Sequence, residues 1–160
     1  MAKKQLVTPA IRALRAAGVP YDEIHYDYAT GGGAAGGAEQ LGLDPHRVIK
    51  TLILALPSGD PLCVLMHGDR EVSLKHLART LGVKSVAMAP PHLAQRKSGY
   101  QVGGTSPFGL RTPMPIFCEA TIADFDRIVI NGGKRGFLIE VDFADTAALL
   151  EPQLVTVAIE

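Results

Sequence analysis

Few residues in this chain have both the type and the spacing to do chemistry. There is no Cys-x-x-Cys pair, no His-Glu-x-x-His, no Gly-x-Ser-x-Gly elbow and no phosphate-loop lysine. The five histidines (His25, His46, His67, His76 and His92) are scattered without the spacing of a ligand set, so neither a metal nor a cofactor is expected. Cys63 and Cys118 each sit in an apolar strand pattern, where a thiol serves as a small core side chain. Two glycine-rich segments and one lysine remain.

Gly103-Gly104-Thr105-Ser106-Pro107-Phe108-Gly109 offers successive main-chain N–H groups with little bulk in the way. Such a turn can point donors at an oxyanion or a phosphate. Gly132-Gly133-Lys134-Arg135-Gly136 joins two strands and carries two cations at its tip. Either segment can equally be a tight turn that needs positive φ. Lys50 lies where an apolar helix end (Val48, Ile49) meets an apolar strand (Leu52, Ile53, Leu54). A lysine so placed either snorkels to the surface or lines a cleft.

The elements that must position these residues are short. Thr8 caps a helix with Pro9 in its first turn and Gly18 as its stop. A strand is predicted over 19–28, then a mobile loop at the glycine run 31–37. The glycine spacing of that run does not fit a dinucleotide fingerprint. A short helix follows over 38–41, and Asp44-Pro45 opens another helical turn. Strands over 49–56 and 61–67 form a hairpin about Pro57-Ser58-Gly59-Asp60. Ser73 caps a helix to Leu81, with a strand over 83–88 and a helix over 92–97 behind it. Residues 99–115 are too rich in Gly and Pro for regular structure. Strands over 116–119, 128–131, 137–141 and 154–159 finish the chain, with short helices near 121–125 and 144–150. Hairpins without strict βαβ alternation predict an α+β fold: a mixed, mostly antiparallel β-core flanked by short helices.

The 160 residues suit one domain over 1–160, and 47% hydrophobic with 20% charged residues argues against disorder. Two cysteines are too few for a disulfide framework. No apolar stretch is long enough to span a membrane, and Met1-Ala2-Lys3-Lys4 leads into no signal-peptide core, so a cytoplasmic protein is expected. The net charge is zero, which excludes a strongly basic, histone-like binder. The charge is uneven, however. Residues 46–111 carry nine basic against three acidic side chains, enough to give one face a positive field for a polyanion.

Five ordered matches add to this reading: Leu41-Gly42-Leu43-Asp44-Pro45, Ile49-Lys50-Thr51-Leu52, Ala94-Gln95-Arg96, Gly99-Tyr100 leading into Gly103–Gly109, and Asn131–Gly136. In them the chain resembles the YbaK-type Cys-tRNA(Pro) deacylases, within the editing domains associated with prolyl-tRNA synthetase. The resemblance runs from Thr8-Pro9-Ala10 to about Val141. It implies a barrel-like β-core and a trans-editing enzyme that removes mischarged cysteine from tRNA(Pro). It further implies catalytic Lys50, Gly103 and Gly104, with Tyr26, Thr105 and Ser106 on the substrate and Lys134 and Arg135 on the tRNA. Tyr28 is close enough to Tyr26 to leave the site tyrosine open. Relatives can carry an acid where this chain has Leu138, and the glycine run at 31–37 is unlike them. A non-catalytic tRNA- or synthetase-binding module, or an editor of another small ester such as Ala-tRNA(Pro), are the alternatives. Partners implied are charged tRNA(Pro) and prolyl-tRNA synthetase, with no DNA and no membrane.

Overall fold

The structure, a computed structural model, describes residues 6–160. The reading of Met1-Ala2-Lys3-Lys4 lies outside the described residues. In chain order the elements begin α1 (Pro9–Ala17), β1 (Asp22–His25), α2 (Gly33–Leu41), β2 (Val48–Ala55), β3 (Pro61–His67) and β4 (Glu71–Val72). They continue α3 (Leu74–Leu81), β5 (Ala87–Met88), α4 (Pro91–Ser98) and β6 (Ile116–Glu119), followed by a 3-10 turn over Ala120–Asp124. The chain ends β7 (Arg127–Lys134), β8 (Phe137–Asp142), α5 (Phe143–Leu150), β9 (Gln153–Val155) and β10 (Ala158–Ile159).

Local chemistry sets several of these boundaries. The Thr8 hydroxyl accepts the Ile11 N–H at 3.1 Å and Ser73 accepts the His76 N–H at 3.2 Å. Each cap is worth about 1 kcal/mol. The stripe Ala10, Ile11 and Leu14 of α1 is fully buried, as are Leu77 and Ala78 of α3.

The main sheet has the order β1-β8-β7-β2-β3-β6-β9, with β5 also paired to β2. Hairpins β2–β3 and β7–β8 and the pairs β1–β8 and β2–β5 are antiparallel; β2–β7, β3–β6 and β6–β9 are parallel. The core is therefore mixed and mostly antiparallel, as expected. Among the described residues the strand order is open, with β1 and β9 at its two ends. A separate ribbon pairs β4 with β10. Among the described residues no helix is long and apolar enough to cross a membrane.

Several boundaries differ from expectation for physical reasons. The run 31–37 is not a loop, because α2 starts at Gly33 and includes Gly36 and Gly37. Its missing side chains allow close approach: a Cβ on Gly37 would lie 3.2 Å from the Tyr26 ring and 3.3 Å from Leu138, and one on Gly36 would strike the Gly31 carbonyl. Asp44-Pro45 makes only a turn, in which the Asp44 carboxylate accepts the His46 N–H. The strand expected over 83–88 shrinks to β5, and that over 19–28 to β1. The last strand breaks into β9 and β10. The buried Glu119 carboxylate takes the N–H groups of Val157 and Ala158 at 2.6 and 2.8 Å, which turns the chain into the second ribbon.

The break that matters for function lies in the main sheet. β2 pairs with β7 only at Val48 and Ile49, and with β5 only at Leu54 and Ala55. Among the described residues, 50–52 have β3 on one side and no strand on the other.

Candidate active site

Lys50 is the third residue of β2 and not a helix end. The strand begins at Val48 because Gly68 N–H already bonds the Val48 carbonyl at 2.7 Å, which opens the β2–β3 ladder there. That bond turns Val48 toward β3, whereas Ala89 N–H reaches the Ile53 carbonyl at 3.1 Å from the other side. Main-chain groups alternate sides along a strand. Thr51 therefore points its N–H and C=O away from β3, into the gap. Its side-chain hydroxyl is also buried and has no hydrogen-bond partner.

A cavity of about 290 Å³ fills this gap. Tyr26, Lys50, Thr51, Gly103, Thr105, Asn131 and Leu138 line it, along with Gly33 and Ala34 of α2 and Ala94 of α4. Its walls are otherwise aliphatic, from Val48, Ile49, Leu52 and Ile53. The Lys50 ammonium reaches Glu71 at 3.1 Å, with the lysine side chain 20% exposed and the glutamate 69% exposed. Such a pair in water is worth about 0–1 kcal/mol, so it leaves the ammonium free to change partner. The Tyr26 hydroxyl bonds the Gly33 carbonyl at 3.4 Å. Burial, aided by neighbouring Tyr28, pushes the Tyr26 phenol above its ordinary 10.0, so it stays protonated at neutral pH.

The glycine-rich loop is held in place by a residue that its own sequence does not contain. Asn131 is 9% exposed, and its amide nitrogen donates to the carbonyls of Gly103 and Lys134 at 3.3 and 3.2 Å. Its amide oxygen accepts the N–H groups of Gly133 and Lys134 at 2.6 and 3.1 Å. One side chain thus ties the bulge of β7 to residue 103. Asn before Gly-Gly is a turn signal in the sequence, but nothing there says which loop it will bind.

Gly103 has φ +90, and a Cβ on it would collide with the Tyr28 hydroxyl. Among the described residues its N–H donates to nothing, so it is available to a ligand. Gly104 is different, and the expectation of a second main-chain donor there is corrected. Its N–H is committed to the Gln101 carbonyl at 2.9 Å, and it does not line the cavity. Gly104 is small because residues 134–135 pack on it, with Arg135 N only 2.7 Å from where its Cβ would be. Ser106 is corrected too: it is 0% exposed, lies off the cavity wall, and its hydroxyl faces the Phe108 N–H at 3.4 Å. Thr105 does line the cavity. So does Tyr26, whereas Tyr28 packs behind Gly103 and beneath Arg135, whose guanidinium lies 5.1 Å from its ring.

Lys134 and Arg135 are exposed, and Arg135 also donates to the Val102 carbonyl at 2.9 Å. Leu138 is 3% exposed and forms an apolar wall of the cavity. Burial pushes both the Cys63 and Cys118 thiols up to about 12, in keeping with core side chains. The histidines are less scattered than their spacing suggests. His46 and His67 stack at 3.6 Å, with Asp69 2.9 Å from His46 Nδ1. Both His67 nitrogens are engaged, by the His46 carbonyl at 2.6 Å and the Thr121 hydroxyl at 2.7 Å. One ligand atom from each of His46, His67 and Asp69 lies within 4.8 Å of the other two, a grouping hidden by their spacing in the sequence.

A cation, a free main-chain donor and a protonated phenol around a small aliphatic cavity suit an uncharged group carrying a polar carbonyl. Comparison with known proteins is consistent with this chemistry. The model of the aminoacyl-tRNA editing domain family matches residues 32–149. An Enterococcus faecalis protein, provisionally named Cys-tRNA(Pro)/Cys-tRNA(Cys) deacylase EbsC, is 33% identical over 144 residues, 88% of each chain. A proline–tRNA ligase of Geobacter metallireducens is 34% identical over 98 residues, 59% of this chain but 16% of the ligase. Among solved structures, a provisionally named trans-editing enzyme for prolyl tRNA synthetase aligns with a TM-score of 0.82 at 22% identity, covering 98% of this chain and 100% of that one.

Proposed function

This chain belongs to the aminoacyl-tRNA editing domain family, and on that premise we propose that it is a deacylase that clears cysteine mischarged onto tRNA(Pro). The observation that supports this most is that Lys50, Tyr26 and Gly103, from three separate segments, line one cavity. An aminoacyl ester is already activated, so orientation and charge stabilisation are enough to speed its cleavage. The substrate's own thiol attacks the carbonyl carbon. A carbon–sulfur bond forms as the carbon–oxygen bond to the terminal ribose breaks, and the thiol proton passes to the leaving ribose oxygen. The Gly103 N–H and the Lys50 ammonium meet the negative charge that develops on the carbonyl oxygen. A single donor of this kind is worth about 2.7–4 kcal/mol. The Tyr26 hydroxyl and Thr105 flank the adenosine end, and Lys134 and Arg135 meet phosphates of the tRNA.

Prolyl-tRNA synthetase is the implied supplier of substrate, because packing alone rejects a small wrong side chain by only about 1–3 kcal/mol. That role places the protein in the cytoplasm. The assay is release of amino acid from Cys-tRNA(Pro) by purified protein. Release no faster than in buffer would end the proposal. Leu138 favours one second reading, because an aliphatic wall there suits an alanyl ester. Running Ala-tRNA(Pro) beside Cys-tRNA(Pro) decides between the two.

A further inference from the structure

The longest acid-free stretch of the chain starts just after the partner of Lys50. Between Glu71 and Glu119 there is no Asp or Glu, while Lys75, Arg79, Lys84, Arg96, Lys97 and Arg111 fall within it. Among the described residues none of these six makes an ion pair. The fold gathers five of them, all but Lys97, into two grooves. Lys75, Arg79 and Lys84 line one beside α3. His92, Gln95, Arg96, Gln101 and Arg111 line the other, a depression of about 480 Å³ at the end of α4.

Only the second groove adjoins the candidate active site. Pro91 lines both it and the cavity, and Gln101 on its wall is followed directly by Val102 on the cavity wall. Arg111 is held there by main chain: its N–H bonds the Ser98 carbonyl at 3.0 Å, and Thr112 N–H bonds the Lys97 carbonyl at 3.0 Å. These bonds and the Gly99 N–H to Gln95 carbonyl bond occupy three of the last four carbonyls of α4 without using either arginine side chain. At the junction, Met88 and Val102 line the cavity and are 50% and 47% exposed. Exposed apolar side chains at a pocket rim offer a surface to the flat face of a base.

We propose that this groove seats the phosphates of the single-stranded 3′ end of the RNA substrate, just upstream of the terminal adenosine whose base rests on Met88 and Val102. The placement rests on the deacylase activity, since only then does the esterified ribose enter the cavity and the strand have to leave across its rim. Arg96 and Arg111 each present a planar fork suited to phosphate oxygens. Gln95 and Gln101 supply neutral donors beside them.

The test compares wild type with the double variant R96Q/R111Q on two substrates, charged tRNA and the 3′-aminoacyl ester of adenosine alone. On charged tRNA the expected result is a KM raised about tenfold with kcat unchanged, and a salt slope shallower by about 1–2. On the adenosine ester the variant matches wild type. Binding of a single-stranded RNA ending in CCA, read without turnover, falls by the same factor. Equal losses on both substrates, an unchanged KM for charged tRNA, or an equal loss in K75Q/R79Q/K84Q would each overturn the proposal. If wild type cleaves neither ester, the deacylase function fails, and the RNA-binding arm still decides the groove by itself.

Discussion

The Asn131 side chain, in a strand bulge, donates to the carbonyl of Gly103 at 3.3 Å across 28 positions of sequence. Through that bond the hairpin of β7 and β8 sets the position of the loop whose Gly103 lines the cavity. Asn131 is therefore a positioning residue. Asn131→Ala removes four hydrogen bonds, on the order of 2–3 kcal/mol of stability after partial replacement by water. Asn131→Asp keeps the acceptor for Gly133 and Lys134 but loses the donor to Gly103. Deacylation rates should fall for both variants, while thermal melting should fall more for Asn131→Ala. Equal melting losses would show that the amide oxygen contributes no stability beyond that of the amide nitrogen.

The two neighbouring glycines should fail differently. Gly103→Ala puts a Cβ against the Tyr28 hydroxyl at φ +90, a backbone strain of about 1–2 kcal/mol, and moves the donor. Activity should drop about 100-fold or more in a protein that still melts cooperatively. Gly104→Ala presses on residues 134–135 and should cost stability first. Ser106→Ala, buried and off the cavity, should change the rate by less than about threefold. A large rate loss from Ser106→Ala in a stably folded protein would restore that serine to the substrate.

Lys50 and Glu71 form one ion pair but have unequal importance. Lys50→Met should lower kcat about 100-fold or more by removing the cation beside the developing oxyanion. Glu71→Gln should leave kcat within about threefold, because the carboxylate is 69% exposed and holds the ammonium only in the resting state. Steady-state kinetics on the two variants make the comparison. Matching losses would show that the pair acts as a unit.

His67 carries a pH dependence with a definite sign. Burial, with a further push from the His46 ring, holds it below its ordinary 6.5, against the opposing effects of its bond to the His46 carbonyl and of Asp69 and Glu119. In the window below 6.5 the unfolded chain binds more protons than the folded one. The histidine's contribution is thus fully present above that value and is lost as pH falls toward the folded-state value. His67→Gln should be less stable at pH 7, and the gap to wild type should narrow as pH drops to about 5. Denaturant melts across that range test this, and a constant gap would count against it.

Much of the local structure could be read from residue types. Thr8, Ser73, Gly18 and Gly82 mark helix ends because caps and left-handed stops are decided within a turn or two of chain. The hairpin after Ala55 is likewise local. The glycine run at 31–37 was not legible in this way. Its helix exists because a β-sheet face, Tyr26 and Leu138, stands close enough to need a side-chain-free surface. The split of β9 from β10 depends on Glu119, more than thirty residues earlier, and no nearby residue announces it.

By residue type, sequence alone singled out Lys50 and the glycine pair at 103–104 as candidates, but it left open whether the lysine snorkels or lines a cleft and whether the glycines only make a turn. It could not say which of two adjacent glycines keeps a free amide. That depends on whether a carbonyl lies within reach: Gln101 takes the Gly104 N–H and leaves that of Gly103 open. Nor could it reveal the opening at Thr51, which arises because β2 meets β7 at one end and β5 at the other. Hydrogen-bond partners and strand neighbours are long-range facts, set by how the whole sheet packs, and they decide which of the candidate groups can touch a substrate.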